Sequence, residues 1–303
     1  MERYLQDKGL RPNTIRQYCN YAGLYLEWLA EQGLEAERVD YHTLTDFIVV
    51  LKEAYSINQR RRIVGAIRHY YQSLGLGINP ASGVYMRMGR STTAIQQVVP
   101  YGRLLELYDQ YPALDDRGKR NKVVLGLLIF QGITTAGLHQ LEPGHIKLAQ
   151  RKVYVPTTGK TNSRVLDLAA AQLLDIQEYL LVIRGRMLAN VQAQRPGRKP
   201  GRVDPRIYDQ LFFSQNGSRD MKNSLHSLFR MIKRTYPKIA STKIIRSSVI
   251  VHWLKTHDVR VVQYMAGHRY VSSTERYDMQ NVEQLKERLK KHHPLRWQQL
   301  ILS

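Results

Sequence analysis

Cysteine and long apolar runs are almost absent from this chain. Cys19 is the only cysteine among 303 residues, so no disulfide can form within the chain, and we expect a reducing, cytoplasmic location. Its apolar neighbours recur at helical spacing, which favours a buried thiol over a metal ligand or nucleophile. The longest apolar runs, such as 123–130, fall well short of the roughly 20 residues of a membrane-spanning helix. We therefore expect neither export nor a membrane partner.

Acidic residues are also scarce. Asp and Glu number 25 against 46 Lys and Arg, which gives a net charge of +21 and a pI near 10.1. Such an excess repels itself unless a polyanion neutralises it, so nucleic acid is the expected partner. The charge by itself does not separate a DNA enzyme from a ribosomal protein or a membrane-surface binder.

Metal-ligand and nucleotide-binding patterns are missing as well. His252 and His257 are five residues apart and have no paired ligands, so we expect no metal and no cofactor. Gly159-Lys160-Thr161 imitates the end of a P-loop, but Tyr154 stands where that motif requires its first glycine. We therefore expect no nucleotide site.

Helical periodicity dominates the first third of the chain. Apolar spacing predicts helices over 13–29, over 44–54 behind Thr43, and over 57–74 before a glycine and proline break. One face of the third helix is cationic, with Arg61, Arg62 and Arg68 and no interleaved acid. Such a face suits a phosphate backbone, although a solvated helix face is the simpler alternative.

The remaining chain mixes helices with two predicted strand segments. We predict helices over 103–110, 122–130 and 169–191, and an antiparallel sheet from 146–156 and 164–168. The expected fold is mainly α with a small antiparallel β-sheet. The predicted domains are a helical DNA-binding domain over 1–88, a linker over 89–97 and a second domain over 98–303. These domain limits are predicted from the helix, strand and linker patterns of the sequence.

A cationic loop interrupts the second domain. Residues 192–206 are rich in proline, glycine and basic residues, among them Arg198 and Lys199, and show no apolar periodicity. The loop is either disordered or an arm that follows phosphates, and we count Arg198 and Lys199 as DNA-binding candidates.

Three side chains in the last quarter carry the chemistry. Arg246, His268 and Tyr277 supply the guanidinium, imidazole and phenol that a metal-free attack on a phosphodiester needs. Taken alone, Tyr277 is one of 19 tyrosines and could be a packing residue, and His268 could be a buried structural histidine. Ser241-Thr242 is expected to cap the helix that carries Arg246.

The order of these residues resembles the tyrosine recombinase (phage integrase) family. Lys160, then Lys243-Ile-Ile-Arg246, then Gly267-His268, and Tyr277 nine residues after His268, follow the family's arrangement. The N-terminal helices resemble its SAM-like core-binding domain, and residues from about 97 onward resemble its catalytic domain. Because the chain begins almost directly at the first of these helices, we expect no separate arm-site domain.

The resemblance implies a role for each residue. Tyr277 would attack the scissile phosphate and give a 3'-phosphotyrosyl link with a free 5'-hydroxyl. Arg246 would bind non-bridging oxygens, and His268 would donate to the phosphate or hold the phenol. Lys160 would protonate the leaving 5'-oxygen, and Lys243 stands where the family has His or Lys.

One position departs from the family pattern. The first catalytic arginine belongs in a Gly-Leu-Arg segment, and the equivalent here is Gly132-Ile133-Thr134. Thr134 is short and neutral, and loss of a preorganised donor costs on the order of a hundredfold to a thousandfold in rate. Charge could come from the adjacent sheet, with three candidates: Lys147, Arg151 and Arg164. Otherwise a neighbouring protomer supplies an arginine, or the pocket binds DNA without cutting it.

The function implied is a site-specific DNA recombinase that acts on double-stranded DNA as a homotetramer on paired sites. A narrow apolar stripe after Tyr277, formed by Val282, Leu285 and Leu289, is expected to serve as a tail for contacts between protomers. We expect a nucleoid-associated protein. The alternatives are a catalytically impaired DNA-binding protein with the same fold and a relaxing topoisomerase.

Overall fold

The computed structural model describes residues 1–77, 79–86, 98–193 and 205–277. The chain forms two compact units, Met1–Thr92 and Thr93–Ser303. Most described residues are helical, and one three-stranded antiparallel sheet is present among them, so the predicted fold class is confirmed. Arg198, Lys199 and the predicted tail after Tyr277 lie outside the described residues.

Helices make up the first unit. They are α1 (Glu2–Asp7), α2 (Pro12–Glu31), α3 (Tyr41–Ala54) and α4 (Ile57–Leu74). Helix α3 begins three residues earlier than predicted, because the Asp40 side chain accepts a hydrogen bond from the Thr43 amide at 2.8 Å. Helix α1 was not predicted, since its short, charged sequence gives no apolar period.

Local capping signals set the limits of α4. Ser56 and Gln59 form a reciprocal capping box, and Gly75 ends the helix at φ 69°, as its glycine predicted. The buried face of α4 packs on α2 and α3 around Tyr25 and Tyr71, whose hydroxyls lie 3.0 Å apart. The Tyr71 hydroxyl is also 2.9 Å from the carbonyl oxygen of Ala36, so both buried phenols have partners.

The second unit has a larger hydrophobic core, and the helix Asp116–Phe130 is the most buried part of it. Its helices before the sheet are α5 (Tyr101–Asp109), α6 (Asp116–Phe130) and α7 (Thr135–Leu138). After the sheet come α8 (Ala170–Glu178), a π-helical turn (Tyr179–Ile183), α9 (Arg184–Gln192), α10 (Lys222–Thr235), α11 (Thr242–Trp253) and α12 (Val259–Ala266). The helix predicted over 169–191 is thus continuous through a π turn. None of the described helices is long and apolar enough to cross a membrane.

The predicted sheet has three short antiparallel strands. They are β1 (Ile146–Lys147), β2 (Lys152–Val155) and β3 (Arg164–Asp167), in the order β1-β2-β3. Val155 pairs with Arg164, so the turn between β2 and β3 starts and ends beside that pair. Alternate β3 residues are buried, which turns Arg164 and Leu166 inward.

Candidate active site

Helix α11 positions Arg246 near its N-terminus. Ser241 caps the helix as predicted, accepting from the Ile244 amide at 3.4 Å. The partly buried Arg246 guanidinium donates through Nη1 to the carbonyl of Gly132 and through Nη2 to that of Ala266, the latter at 2.7 Å. Two carbonyls on different elements therefore fix its orientation.

Lys243 lies on the first turn of α11 and is exposed. It precedes Arg246 by three residues, so the two share one side of the helix.

The turn between β2 and β3 is bonded to the segment that follows α12. The Asn162 amide donates to the Gly267 carbonyl at 2.9 Å, and Thr161 forms an isolated antiparallel bridge with His268. Arg269 donates through Nη2 to the Thr158 carbonyl at 3.2 Å. These bonds hold the turn that carries the exposed Lys160 beside His268.

His268 contacts both a buried hydroxyl and the candidate nucleophile. Its Nδ1 lies 2.8 Å from Oγ1 of Thr274, which is fully buried. The rings of His268 and Tyr277 stack with centroids 6.0 Å apart and planes 13° from parallel. The helical residues 272–277 therefore bring the Tyr277 phenol to the imidazole.

Burial and neighbouring cations set the charges in this pocket. Burial, assisted by the charges of Arg246 and Arg164, lowers the pKa of His268 to about 4. Burial also lowers the pKa of the Arg246 guanidinium to about 10, while the neighbouring Tyr277 opposes that shift. At neutral pH the pocket therefore holds a charged guanidinium and a neutral imidazole. When Thr274 donates to Nδ1, the imidazole proton is on Nε2 and can be donated to an anion.

Thr134 occupies the N-cap of α7. Its Oγ1 accepts from the Gly137 amide at 3.0 Å. The next residue, Thr135, lies with its hydroxyl 3.3 Å from that of Thr242 at the start of α11. Thr134 thus lies next to the helix that carries Arg246 and carries a neutral capping hydroxyl, while its replacement of an arginine stays a prediction.

The three cations considered as substitutes lie in different environments. Lys147 on β1 and Arg151, which immediately precedes β2, are exposed, whereas Arg164 is 3 % exposed. The Arg164 Nε donates to the Met265 carbonyl at 2.8 Å, one residue before the carbonyl that Arg246 binds.

The basic face of α4 is smaller than its sequence suggests. Arg61 and Arg62 are exposed, but Arg68 donates to the carbonyls of Ala81 and Val84 at 3.1 and 2.9 Å. A contact of Arg68 with DNA therefore remains a prediction, and the structure gives that guanidinium partners within its own unit.

Two other polar residues of α4 contact the helices that precede it. His69 stacks on Tyr18 with ring centroids 5.6 Å apart, and Gln72 accepts from the Tyr4 hydroxyl at 3.0 Å. Helices α1 and α2 thus contact part of the polar side of α4, and DNA binding by its arginines stays a prediction.

Sequence reasoning missed the residues that support the site. Thr274 and Arg269 belong to no recognisable spacing, and the Gly132 carbonyl carries no side-chain signal at all. Among the residues that the structure describes, no group of three or more His, Cys, Asp and Glu side chains could hold a metal ion.

Comparison with known proteins identifies relatives of both units. Residues 2–75 match the family model described as phage integrase, N-terminal SAM-like domain. Tyrosine recombinase XerA of Thermococcus kodakarensis is 24 % identical over 291 residues, which cover 94 % of this chain and 91 % of the relative.

Two solved structures share the fold. The XerH site-specific recombinase bound to palindromic difH substrate, in a post-cleavage complex, superposes with a TM-score of 0.68 at 17 % identity, over 90 % of this chain and 78 % of that one. A lambda integrase dimer bound to a COC' core site gives a TM-score of 0.59 at 12 % identity, over 91 % and 92 % of the two chains. The chain is thus similar to the N-terminal SAM-like domain of phage integrases over residues 2–75 and to a tyrosine recombinase over most of its length, and it shares the fold of the two solved structures.

Proposed function

We propose that this protein is a site-specific DNA recombinase that cuts and rejoins strands through a 3'-phosphotyrosyl intermediate. The observation that carries the proposal is the stacking of the His268 ring on that of Tyr277, 6.0 Å between centroids, in the pocket that also holds Arg246. A phenol beside a neutral imidazole and an oriented guanidinium is suited to attack on a phosphodiester.

The proposed reaction exchanges one phosphodiester for another. The Tyr277 Oη forms a bond to phosphorus while its proton passes to solvent water, and the bond from phosphorus to the 5'-oxygen breaks. Lys160 supplies a proton to that oxygen, and Arg246 donates to the non-bridging oxygens. His268 donates from Nε2, and Lys243 adds positive charge at the start of α11. Because the product is again an ester, rejoining needs no external energy.

We infer that the first unit supplies DNA affinity. Arg61 and Arg62 are exposed at the start of α4 and suit phosphate contacts, with Arg198 and Lys199 as further contacts from outside the described residues. The proposed organisation is a core-binding domain over 1–88, a linker over 89–97 and a catalytic domain over 98–303. Duplex DNA as substrate implies a cytoplasmic, nucleoid-associated protein.

We also propose assembly as a homotetramer on paired sites. The XerH and lambda integrase structures were solved on DNA, the latter as a dimer, which supports action by more than one protomer. Sedimentation of the protein with DNA carrying two half-sites measures the number of protomers directly. Truncation after Tyr277 tests whether the apolar tail is required.

Covalent capture tests the reaction. Nicked duplexes with randomised sequence on both sides of the nick let a short cleaved fragment diffuse away, so the attached strand is trapped. Wild-type protein is expected to form adducts that resist denaturing gels, even in excess chelator, and the captured sequences should converge. Tyr277→Phe should bind DNA without forming adducts. A folded wild type that gives no adduct at any salt concentration contradicts the proposal.

A second candidate is a DNA-binding protein that keeps the fold without cutting. The neutral Thr134 hydroxyl, already used as a helix cap, favours it. Gel retardation by the wild type without covalent capture is the result that selects this candidate.

A further inference from the structure

Arg164 has an environment that packing alone does not explain. It is 3 % exposed at the start of β3, where its Nε donates to the Met265 carbonyl at 2.8 Å and its Nη1 to the Asn162 carbonyl at 3.3 Å. Its Nη2 is fully buried and has no hydrogen-bond partner among the described residues. A guanidinium offers five donors, and leaving charged donors buried without an acceptor is costly.

A second guanidinium lies beside it. Met265 and Ala266 are consecutive residues at the end of α12, and their carbonyls accept from Arg164 and Arg246 respectively. Within the described parts of the chain, neither guanidinium forms an ion pair with an Asp or Glu. Two neighbouring cations, one buried and one partly buried, without an acid between them are suited to binding an anion.

The electrostatics agree with this arrangement. Burial, and then the charge of Arg246, lowers the pKa of the Arg164 guanidinium to about 10. The same two arginines contribute to the lowered pKa of His268. The charge of Arg164 therefore reaches the imidazole that stacks on Tyr277.

The backbone of Gly267 lies so close to the Arg164 guanidinium that no side chain fits between them. A Cβ at Gly267 would lie 2.6 Å from Nη1 of Arg164, 3.1 Å from its Cζ and 3.0 Å from the Asn162 carbonyl oxygen. The Arg164 guanidinium therefore packs directly against Gly267, the residue before His268. This close packing preorganises the charge, as stabilisation of a transition state requires.

We propose that Arg164 donates its free Nη2 to a non-bridging oxygen of the scissile phosphate and so supplies the charge that Thr134 lacks; this inference rests on the proposed function. Arg164 forms and breaks no covalent bond in the step. As Tyr277 attacks, charge grows on the non-bridging oxygens, and Arg164 and Arg246 each bind one of them. Lys147 and Arg151, whose side chains are exposed, do not share this role.

A neutral substrate separates this role from a structural one. Captured sites are rebuilt with either a normal phosphate or a methylphosphonate at the cleaved position, and adduct formation is timed for wild type, Arg164→Gln and the exposed hairpin control Arg151→Gln. On the phosphate, Arg164→Gln should be slower by roughly a hundredfold to a thousandfold, and Arg151→Gln unchanged. On the methylphosphonate, which carries no charge to neutralise, the loss for Arg164→Gln should shrink to about tenfold or less.

Equal losses on both substrates would make Arg164 a structural residue and overturn the inference, as would undiminished cleavage of the phosphate. Wild-type adducts in either case leave the proposed function standing.

A second measurement needs no variant and no DNA site. Wild-type crystals soaked in tungstate, a tetrahedral dianion that can be located by its anomalous scattering, should show the ion within hydrogen-bond distance of both Arg164 Nη2 and Arg246. Tungstate bound at Arg246 alone, or at neither residue, contradicts the inference. If tungstate binds both Arg164 and Arg246 but neither wild type nor any variant forms DNA adducts, the proposed strand-transfer function is contradicted. The anion site is then still established.

Discussion

Arginine serves two purposes in the two units of this protein. Arg61 and Arg62 in the first unit are exposed, where water and salt screen their charge. Arg164 and Arg246 in the second are held by backbone carbonyls, with burial lowering the pKa of both to about 10. Exposed arginines suit contacts with any phosphate, whereas fixed, desolvated ones suit a single phosphate in one geometry. The comparison predicts that the first pair controls affinity and the second pair controls chemistry.

The largest effect should come from removing one arginine of the pair in the second unit. Arg246→Gln leaves the carbonyls of Gly132 and Ala266 without their donor and removes a charge from the phosphate. Adduct formation at saturating DNA should fall by about a hundredfold to a thousandfold, with DNA affinity changed much less. Single-turnover capture measures the first quantity and fluorescence anisotropy the second. Equal losses of rate and of DNA affinity in Arg246→Gln would contradict the division between arginines that control affinity and arginines that control chemistry.

Removing the exposed pair should give the opposite result. The double variant Arg61→Gln, Arg62→Gln loses up to two phosphate contacts, so the slope of log affinity against log salt should become shallower by about 2. The rate of adduct formation on saturated DNA should not change. A matched variant, Arg68→Gln, should instead lower the melting temperature of the first unit, because it breaks the bonds to the Ala81 and Val84 carbonyls. An unchanged salt slope in the double variant contradicts the assignment.

Two glycines sharpen the comparison further. Gly267 and Gly75 both end helices in left-handed conformation, at φ +68° and +69°, but of the two only Gly267 has atoms within 4 Å of the place that an added Cβ would take, foremost those of Arg164. Alanine at either position costs about 1–2 kcal/mol of backbone strain. Gly267→Ala should cost about 1 kcal/mol more and slow adduct formation by displacing the Arg164 guanidinium. Urea unfolding and capture kinetics measure both effects, and equal behaviour of the two variants would show that the contact with Arg164 is unimportant.

The smallest effect concerns pH. The pKa of His268 is about 4 in the folded protein and about 6.5 in the unfolded chain, so the unfolded state binds the proton first as pH falls. The second unit should therefore lose stability as the pH falls from 6.5 to 4. Above pH 6.5 the stabilisation from the neutral His268 is fully present. His268→Gln should flatten the dependence, leaving a remainder from His252, whose pKa burial also lowers. The pH dependence of the first unit, where His69 titrates, should not change, and an unaltered slope in the second unit contradicts the assignment.

Local sequence signals predicted helices and strands well. They did not predict which side chains are covered by residues distant in the sequence. Helix α4 begins and ends as predicted because Ser56, Gln59 and Gly75 act within a turn of its ends. Nothing local shows that residues 81–84 cover Arg68, so its amphipathic position suggested exposure. The alternation along β3 places Arg164 on the buried face with Leu166, and this signal could have separated it from Lys147 and Arg151.

The most direct test is to identify the residue and the DNA end in the covalent adduct. Captured adducts are digested with protease and nuclease, and the nucleotide-bearing peptide is sequenced by mass spectrometry. The account predicts one modified residue, Tyr277, esterified to a 3'-phosphate, and a 5'-hydroxyl on the released fragment. A nucleotide on any other side chain, a 5'-phosphate link, or no modified peptide from folded wild-type protein would contradict it.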